Sequence, residues 1–218
     1  MSTLGTMKTR IADEIVRDDL SSQIANAITT AIAVWSPTRF HFNEKRYRLL
    51  TVADTEYYAM STLTNASDGS ALATGETLLE VDSFTLTYNS QPYPLYPLTQ
   101  QVVDREQSPS SLYTGQPSGY AIFADEIRLH PIPDQAYTCT ISGLAQLGTL
   151  SSDAASNAWM TDGEALIRAQ AKLILYRDIL RDPDGRELAR EALAEALGPL
   201  TRRMAAKVAT GRIAPWCG

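Results

Sequence analysis

The apolar residues of this chain repeat at two different spacings, and the change between them limits what it can fold into. Ile11, Ile15, Leu20, Ile24, Ile28 and Ile32 follow one another at four or five residues, along one stripe of a helix. From about residue 47 that spacing gives way to short runs rich in β-branched and aromatic residues, with alternation in Phe84, Leu86 and Tyr88. Helical spacing returns in Leu166, Ala169, Leu173, Tyr176 and Leu180, and again in Leu188, Ala192, Leu193, Ala196, Leu200, Met204 and Val208. A chain patterned helix, strand, helix closes its core from both ends. The expected fold is α+β, a helical bundle core formed by the N- and C-terminal helices with a central β-rich insertion. The pattern places the helical core in 1–46 and 148–209, the β-rich insertion in 47–147 and a non-periodic tail in 210–218.

Local signals punctuate this order. Arg17-Asp18-Asp19-Leu20-Ser21 carries residues that favour caps over helix interiors, so a short helix near 7–17 and a second near 20–35 are expected. Ser36-Pro37 stops the second. Asn89-Ser90 marks a turn before Pro92-Tyr93-Pro94-Leu95-Tyr96-Pro97, whose prolines lack ladder donors and confine the segment to a sheet edge or an extended arm. Tyr120 to Phe123 and Ile127 to His130 form a hairpin around Ala124-Asp125-Glu126, and Tyr137 to Leu144 is a further strand. Residues 65–75, full of Ser, Ala, Thr and Gly, read as a flexible loop. Thr161 to Glu164 has the form of a capping box. Asp182-Pro183 restarts a helix, with Gly198-Pro199 as a kink.

Chemistry is hard to find. His41 and His130 are the only histidines, neither near a cysteine, and no HExxH, Walker-type, dinucleotide or nucleophile-elbow motif occurs. No metal, cofactor or catalytic residue is expected. Acidic pairs such as Asp18/Asp19 and Asp125/Glu126 read as cap and turn residues, and Asp182-Pro183-Asp184-Gly185 lacks the later ligands of a calcium loop. Of the two cysteines, Cys139 reads as a buried free thiol and Cys217 as incidental. No stretch approaches the length of a membrane span, and the N-terminus lacks a signal-peptide pattern, so synthesis in the cytoplasm is expected. The net charge of −6 is uneven: residues 51–147 hold eleven acidic residues against Arg105 and Arg128 alone. Arg39, Lys45, Arg46 and Arg48, interleaved by Tyr47, read as a solvated or subunit-facing strip before a nucleic-acid contact.

Three collinear segments carry a resemblance. They are Asp13 to Glu44, ending Arg39-Phe40-His41-Phe42-Asn43-Glu44; Tyr120 to Pro133; and Ser156-Asn157-Ala158-Trp159-Met160-Thr161-Asp162-Gly163-Glu164 leading into the late helix. In this order they resemble the tailed-phage head-to-tail adaptor family of podophage type, also called head-completion or connector proteins. The residues themselves mark Phe40, Phe42, Asn43 and Trp159 as structural anchors where helix gives way to strand and before the late helix.

The resemblance implies a structural, non-enzymatic virion protein at the head–tail junction. Such a protein forms a ring of twelve copies below the portal protein, extends the DNA channel and offers the attachment surface for the tail nozzle or tail tube protein. Double-stranded DNA would pass through without sequence-specific binding, and the acidic middle would repel it. It also implies a C-terminal portal-docking segment. Here Arg202, Arg203, Lys207, Arg212, Ile213, Pro215 and Trp216 supply basic charge for steering and an aromatic anchor. Rival readings are a neck or tail-completion protein and, in another class, a virion-associated cell-wall hydrolase, for which no carboxylate pair stands out.

Overall fold

The computed structural model describes residues 2–106 and 113–209, with side chains through Ala206. The helices are α1 Leu4–Ile15, α2 Ser21–Trp35, α3 Gln100–Glu106, α4 Ala158–Thr161, α5 Glu164–Leu175 and α6 Pro183–Ala209. The strands are β1 Glu44–Leu50, β2 Tyr57–Ala59, β3 Thr64–Asn65, β4 Thr77–Tyr88, β5 Gln91–Pro94, β6 Tyr96–Pro97, β7 Thr114–Gly115, β8 Gly119–Phe123, β9 Glu126–His130, β10 Ile132–Pro133 and β11 Thr138–Gln146. The fold is α+β, with terminal helices and a β-rich middle. The chain divides into two compact units, residues 1–43 with 149–218, and residues 44–148.

In the helical unit Thr3 caps α1 reciprocally with Thr6, whose backbone N–H donates to the Thr3 hydroxyl while its own hydroxyl accepts from the Thr3 N–H. The apolar stripe buries Met7, Ile11 and Ile15 from α1 and Ile24, Ala27, Ile28 and Ala31 from α2. Between them Val16 closes α1 in the left-handed region, φ 54°. Helix α5 packs against α1, α2, α4 and α6, so it buries more than one face through Leu166, Ile167, Ala169, Ala171 and Leu175. Glu14 of α1 pairs with Arg168 at 3.2 Å and Lys172 at 2.6 Å on α5. A π-helical turn, Tyr176–Leu180, extends α5 and stops at Arg181, φ 53°. Asp182 then accepts the Asp184 N–H and α6 begins at Pro183.

Two expectations about these helices fail. Thr161 does not cap α5: it is the last residue of α4, Gly163 holds the N-cap position without a side-chain bond, and Glu164 pairs with Arg10 instead. On α6 the expected stripe holds at Leu200, which is buried, and through half-buried Ala192, Leu193, Ala196 and Met204; it fails at Leu188, which is 67% exposed, with Gly185 and Ala189 buried in its place. Small residues let α6 approach closely: a Cβ on Gly185 would lie 2.5 Å from the Tyr176 ring. The helix runs unbroken through Pro199.

The β-rich unit is two facing sheets. One is five-stranded in the order β3-β1-β11-β4-β5 and the other four-stranded in the order β2-β9-β8-β6, with a two-stranded β10-β7 pair beside them. Alternation sends Tyr47 and Leu49, Phe84 and Leu86, and Cys139 and Ile141 from the larger sheet into one core with Tyr58, Tyr120, Ile127 and Leu129 from the smaller. Tyr47 therefore does not interleave the arginines at the surface; its hydroxyl bonds Glu76 inside. Gly143 sits where β11 is bulged against β4, and a Cβ there would lie 1.9 Å from the Glu80 carbonyl oxygen. Asn89 and Ser90, φ 50° and 62°, make the two-residue turn between β4 and β5. The proline-rich segment forms the edge strands β5 and β6 of the two sheets. Residues 65–75 are an ordered excursion, not a loose loop: the Asn65 N–H donates to Ser70 O, Gly69 N–H to Asn65 O, and Thr64 bridges Ala71. Helix α3 was not expected; it packs on β8 through buried Val103.

Candidate functional site

The aromatic corner of the helical unit is built from the Phe40-His41-Phe42-Asn43 run and the start of α4. Phe40 and Phe42 stack with their ring planes 9° apart and centroids 5.4 Å apart. Trp159 meets both edge-on, at 5.7 and 4.9 Å. Asn43 is fully buried; its Oδ1 accepts the Phe40 N–H at 2.7 Å and its Nδ2 donates to Thr38 O at 2.8 Å. The side chain thus satisfies two main-chain groups where the chain leaves helical geometry. Asn157 caps α4 by accepting the Trp159 N–H. All four predicted anchors, Phe40, Phe42, Asn43 and Trp159, meet in this one cluster, so their aromatic surface is committed to packing.

Of the predicted docking residues, the described ones lie towards the end of α6. Arg202 and Arg203 are exposed on the last turns of α6. Lys207 belongs to α6 by its backbone, and its side chain, with Arg212, Ile213, Pro215, Trp216 and Cys217, lies outside the described residues. Beside Arg203, α5 and α6 leave a cleft of about 420 Å³ floored by Ala165, Ala169, Ala192 and Ala196.

In the β-rich unit the acidic excess is partly consumed inside the fold. Arg128, on the outer face of β9, ion-pairs with Glu56 and with Asp104 of α3, and its guanidinium lies 5.2 Å from the Tyr57 ring centre. Burial works to lower the pKa of Arg128, but the hydrogen bonds to Asp104 and Glu56 outweigh it and the net shift is upward. His130 Nε2 lies 3.0 Å from Glu106, also on α3. Asp134 accepts the Tyr137 hydroxyl at 2.6 Å. Asp54, Asp125 and Glu126 remain on the surface, the last two at the β8–β9 turn beside Phe123, which is 69% exposed. The sequence marked the acidic block but not the Arg128 station. A lone arginine among carboxylates in a strand is the signal that would have found it.

Among the described residues no group of three or more His, Cys, Asp or Glu side chains is placed to hold a metal ion. Cys139 is buried, and desolvation pushes its thiol up to about 12, leaving no thiolate at neutral pH. Asp125 and Glu126 are exposed at the β8–β9 turn. No helix among the described residues is long and apolar enough to cross a membrane. What the surface offers is contact: exposed tyrosines along β4–β6, a cavity of about 620 Å³ bounded by Leu50, Val52 and Tyr57, and the basic end of α6.

The model of one protein family, described as SU10 adaptor protein, matches residues 2–215, through both the helical and the β-rich unit. No curated protein matches the chain.

Proposed function

The chain belongs to the SU10 adaptor protein family, phage head-to-tail adaptors, and on that premise we propose that it is a structural protein of the virion, without enzymatic activity, seated below the portal as one copy of a ring of twelve. The single observation behind this reading is the extent of the match, residues 2–215, which takes in every element of both units. In such a ring each subunit presents one face to its neighbour on one side and a different face on the other. The ring extends the DNA channel and gives the tail nozzle or tail tube protein its attachment surface, at the head–tail junction of a particle assembled from protein made in the host cytoplasm.

Two surfaces take part under this reading. The end of α6 and the residues after it, Arg202, Arg203, Lys207, Arg212, Ile213, Pro215 and Trp216, dock into the portal: the basic residues steer the encounter and the tryptophan supplies the buried contact. The exposed acids Asp54, Asp125 and Glu126 face the channel or the tail partner, where like charge keeps DNA phosphates from the counterion-releasing contacts that would hold them.

Co-sedimentation with isolated portal rings tests the assignment. The full chain is expected to pellet with the portal, and Trp216→Ala combined with Arg212→Glu to lose at least about tenfold in affinity, roughly 1.4 kcal/mol. A chain that leaves portal rings bare is a neck or tail-completion protein instead. Unchanged binding by the double variant moves the docking surface elsewhere.

A further inference from the structure

Four strands lie at the outer edges of the two sheets of the β-rich unit: β3 and β5 in one, β2 and β6 in the other. An open edge invites another strand, and three of these four are blunted. β5 carries Pro92 and Pro94, β6 carries Pro97, and β3 is two residues long with Thr64 already bridged to Ala71. β2 has neither proline nor charge.

The register shows what β2 offers. Leu129 N–H donates to Glu56 O and Met60 N–H to Asp125 O, so residues 56, 58 and 60 turn their main chain towards β9. Tyr57 and Ala59 alternate with them and point outwards. The Ala59 carbonyl already accepts the Thr62 hydroxyl at 2.7 Å. The free edge therefore shows two N–H donors, from Tyr57 and Ala59, two residues apart, with the Tyr57 carbonyl between them. The β5 edge is its complement. Tyr88 and Gln91 close the two-residue hairpin and Tyr93 pairs with Leu86, so Pro92 and Pro94 point outwards, with carbonyl oxygens and no N–H. That edge shows two acceptors, also two residues apart. Antiparallel pairing of Tyr57 with Pro94 and Ala59 with Pro92 joins both donors to both acceptors.

The surroundings match as well. Ser83 to Val103 contains no charged residue, and Tyr88, Tyr93 and Tyr96 are exposed along it. Beside β2 lies a largely apolar cavity of about 620 Å³ with Leu50 and Val52 exposed at its rim and Arg48 its one charged lining residue. An uncharged tyrosine–proline arm and a largely apolar cavity flanking an open edge form a contact of aromatic core and little charge. Within one chain both ends of β4–β5 and β2 are fixed in the sheets already described, so the complement must come from a second copy. Resting on the ring reading above, we infer that the β2 edge of one copy pairs with the β5 edge of the next, a head-to-tail strand contact that repeats around the ring.

Ala59 allows a clean test. Its φ is −63°, which proline adopts without strain, and its N–H makes no bond within the sheet. Ala59→Pro removes the edge donor and leaves the fold intact, which an unchanged melting temperature checks. Full-length protein with Cys217→Ser is prepared carrying Ser61→Cys or Gln91→Cys, both exposed positions flanking the two edges. The two are mixed and treated with a short bis-maleimide, free in solution and on isolated portal rings. The expected result is a cross-linked heterodimer in the mixture only, reduced at least tenfold when Ala59→Pro is added to the Ser61→Cys chain. Cross-linking that ignores Ala59→Pro, that either preparation gives alone, or that is absent both in solution and on portals overturns the pairing. Rings counted by electron microscopy in the same samples report on the ring separately: rings without the cross-link reject the strand contact alone.

Discussion

Asn43 satisfies two main-chain groups with one side chain, and no apolar residue can replace it. Truncation to alanine leaves the buried Phe40 N–H and the part-buried Thr38 C=O without their partner, at about 1–3 kcal/mol by urea denaturation. Asn43→Asp keeps the acceptor for Phe40 and should recover part of that loss; equal losses in the two variants would mean the hydrogen bonds are not what Asn43 contributes. The sequence put Asn43 at this corner because an Asn after a Phe-His-Phe run suits a backbone cap. It gave no sign that both ends of the amide are used. Cys139 makes a second prediction at this scale. Its raised pKa reflects a thiol that stays protonated in the fold and ionises readily once exposed. Iodoacetamide at pH 8 should label Cys139 in denaturant and not in the native protein, scored on its own peptide; native labelling would place it at the surface. The sign for stability follows. Because the unfolded chain loses this proton first, stability falls as pH rises from about 9 towards 12. Tyr47, Tyr58, Tyr120 and Tyr137, all raised chiefly by burial, act in the same direction.

At the scale of elements, what the sequence revealed depended on how much each segment's own residues decide. The α1–α2 break, the β4–β5 hairpin turn, the proline edge strands and the β8–β9 hairpin all come from local backbone chemistry, and each stands where its turn or proline residues placed it. The failures share a cause. In its first turns helix α6 offers two ways to begin its packed face, at Leu188 or through Gly185 and Ala189, and only the neighbour decides between them. The aromatic ring of Tyr176 leaves no room for a larger side chain, so the small residues face inwards. The capping box at Thr161 lost to α4, whose own cap at Asn157 claims that residue for a preceding turn. Helix α3 was hidden because it is short and held by Asp104 and Glu106 to Arg128 and His130, partners distant in sequence. Two substitutions separate these beginnings. Leu188→Ser should change stability by no more than about 0.5 kcal/mol, whereas Gly185→Ala should cost about 1–3 kcal/mol through overpacking. The reverse order in thermal denaturation would put Leu188 on the packed face.

For the whole molecule, the resemblance carried by three segments of the sequence and the family match over residues 2–215 point the same way. The anchors are core, the acids partly serve the fold, and the surfaces left over are edges, arms and a basic helix end. The Arg128 station ties β2, β9 and α3 of the smaller sheet together. Arg128→Met leaves Glu56 and Asp104 unpaired, and a loss of about 3 kcal/mol is expected, at the low end for a buried pair because Asp104 is half-exposed. If that variant melts like the parent, the station does not hold α3. A reconstruction of the intact virion neck by electron microscopy tests the central claim most directly. The account predicts a closed ring of this chain immediately below the portal, with twelve copies and an open axial channel. Density for the chain elsewhere in the particle, or a single copy at the neck without a ring, would contradict it.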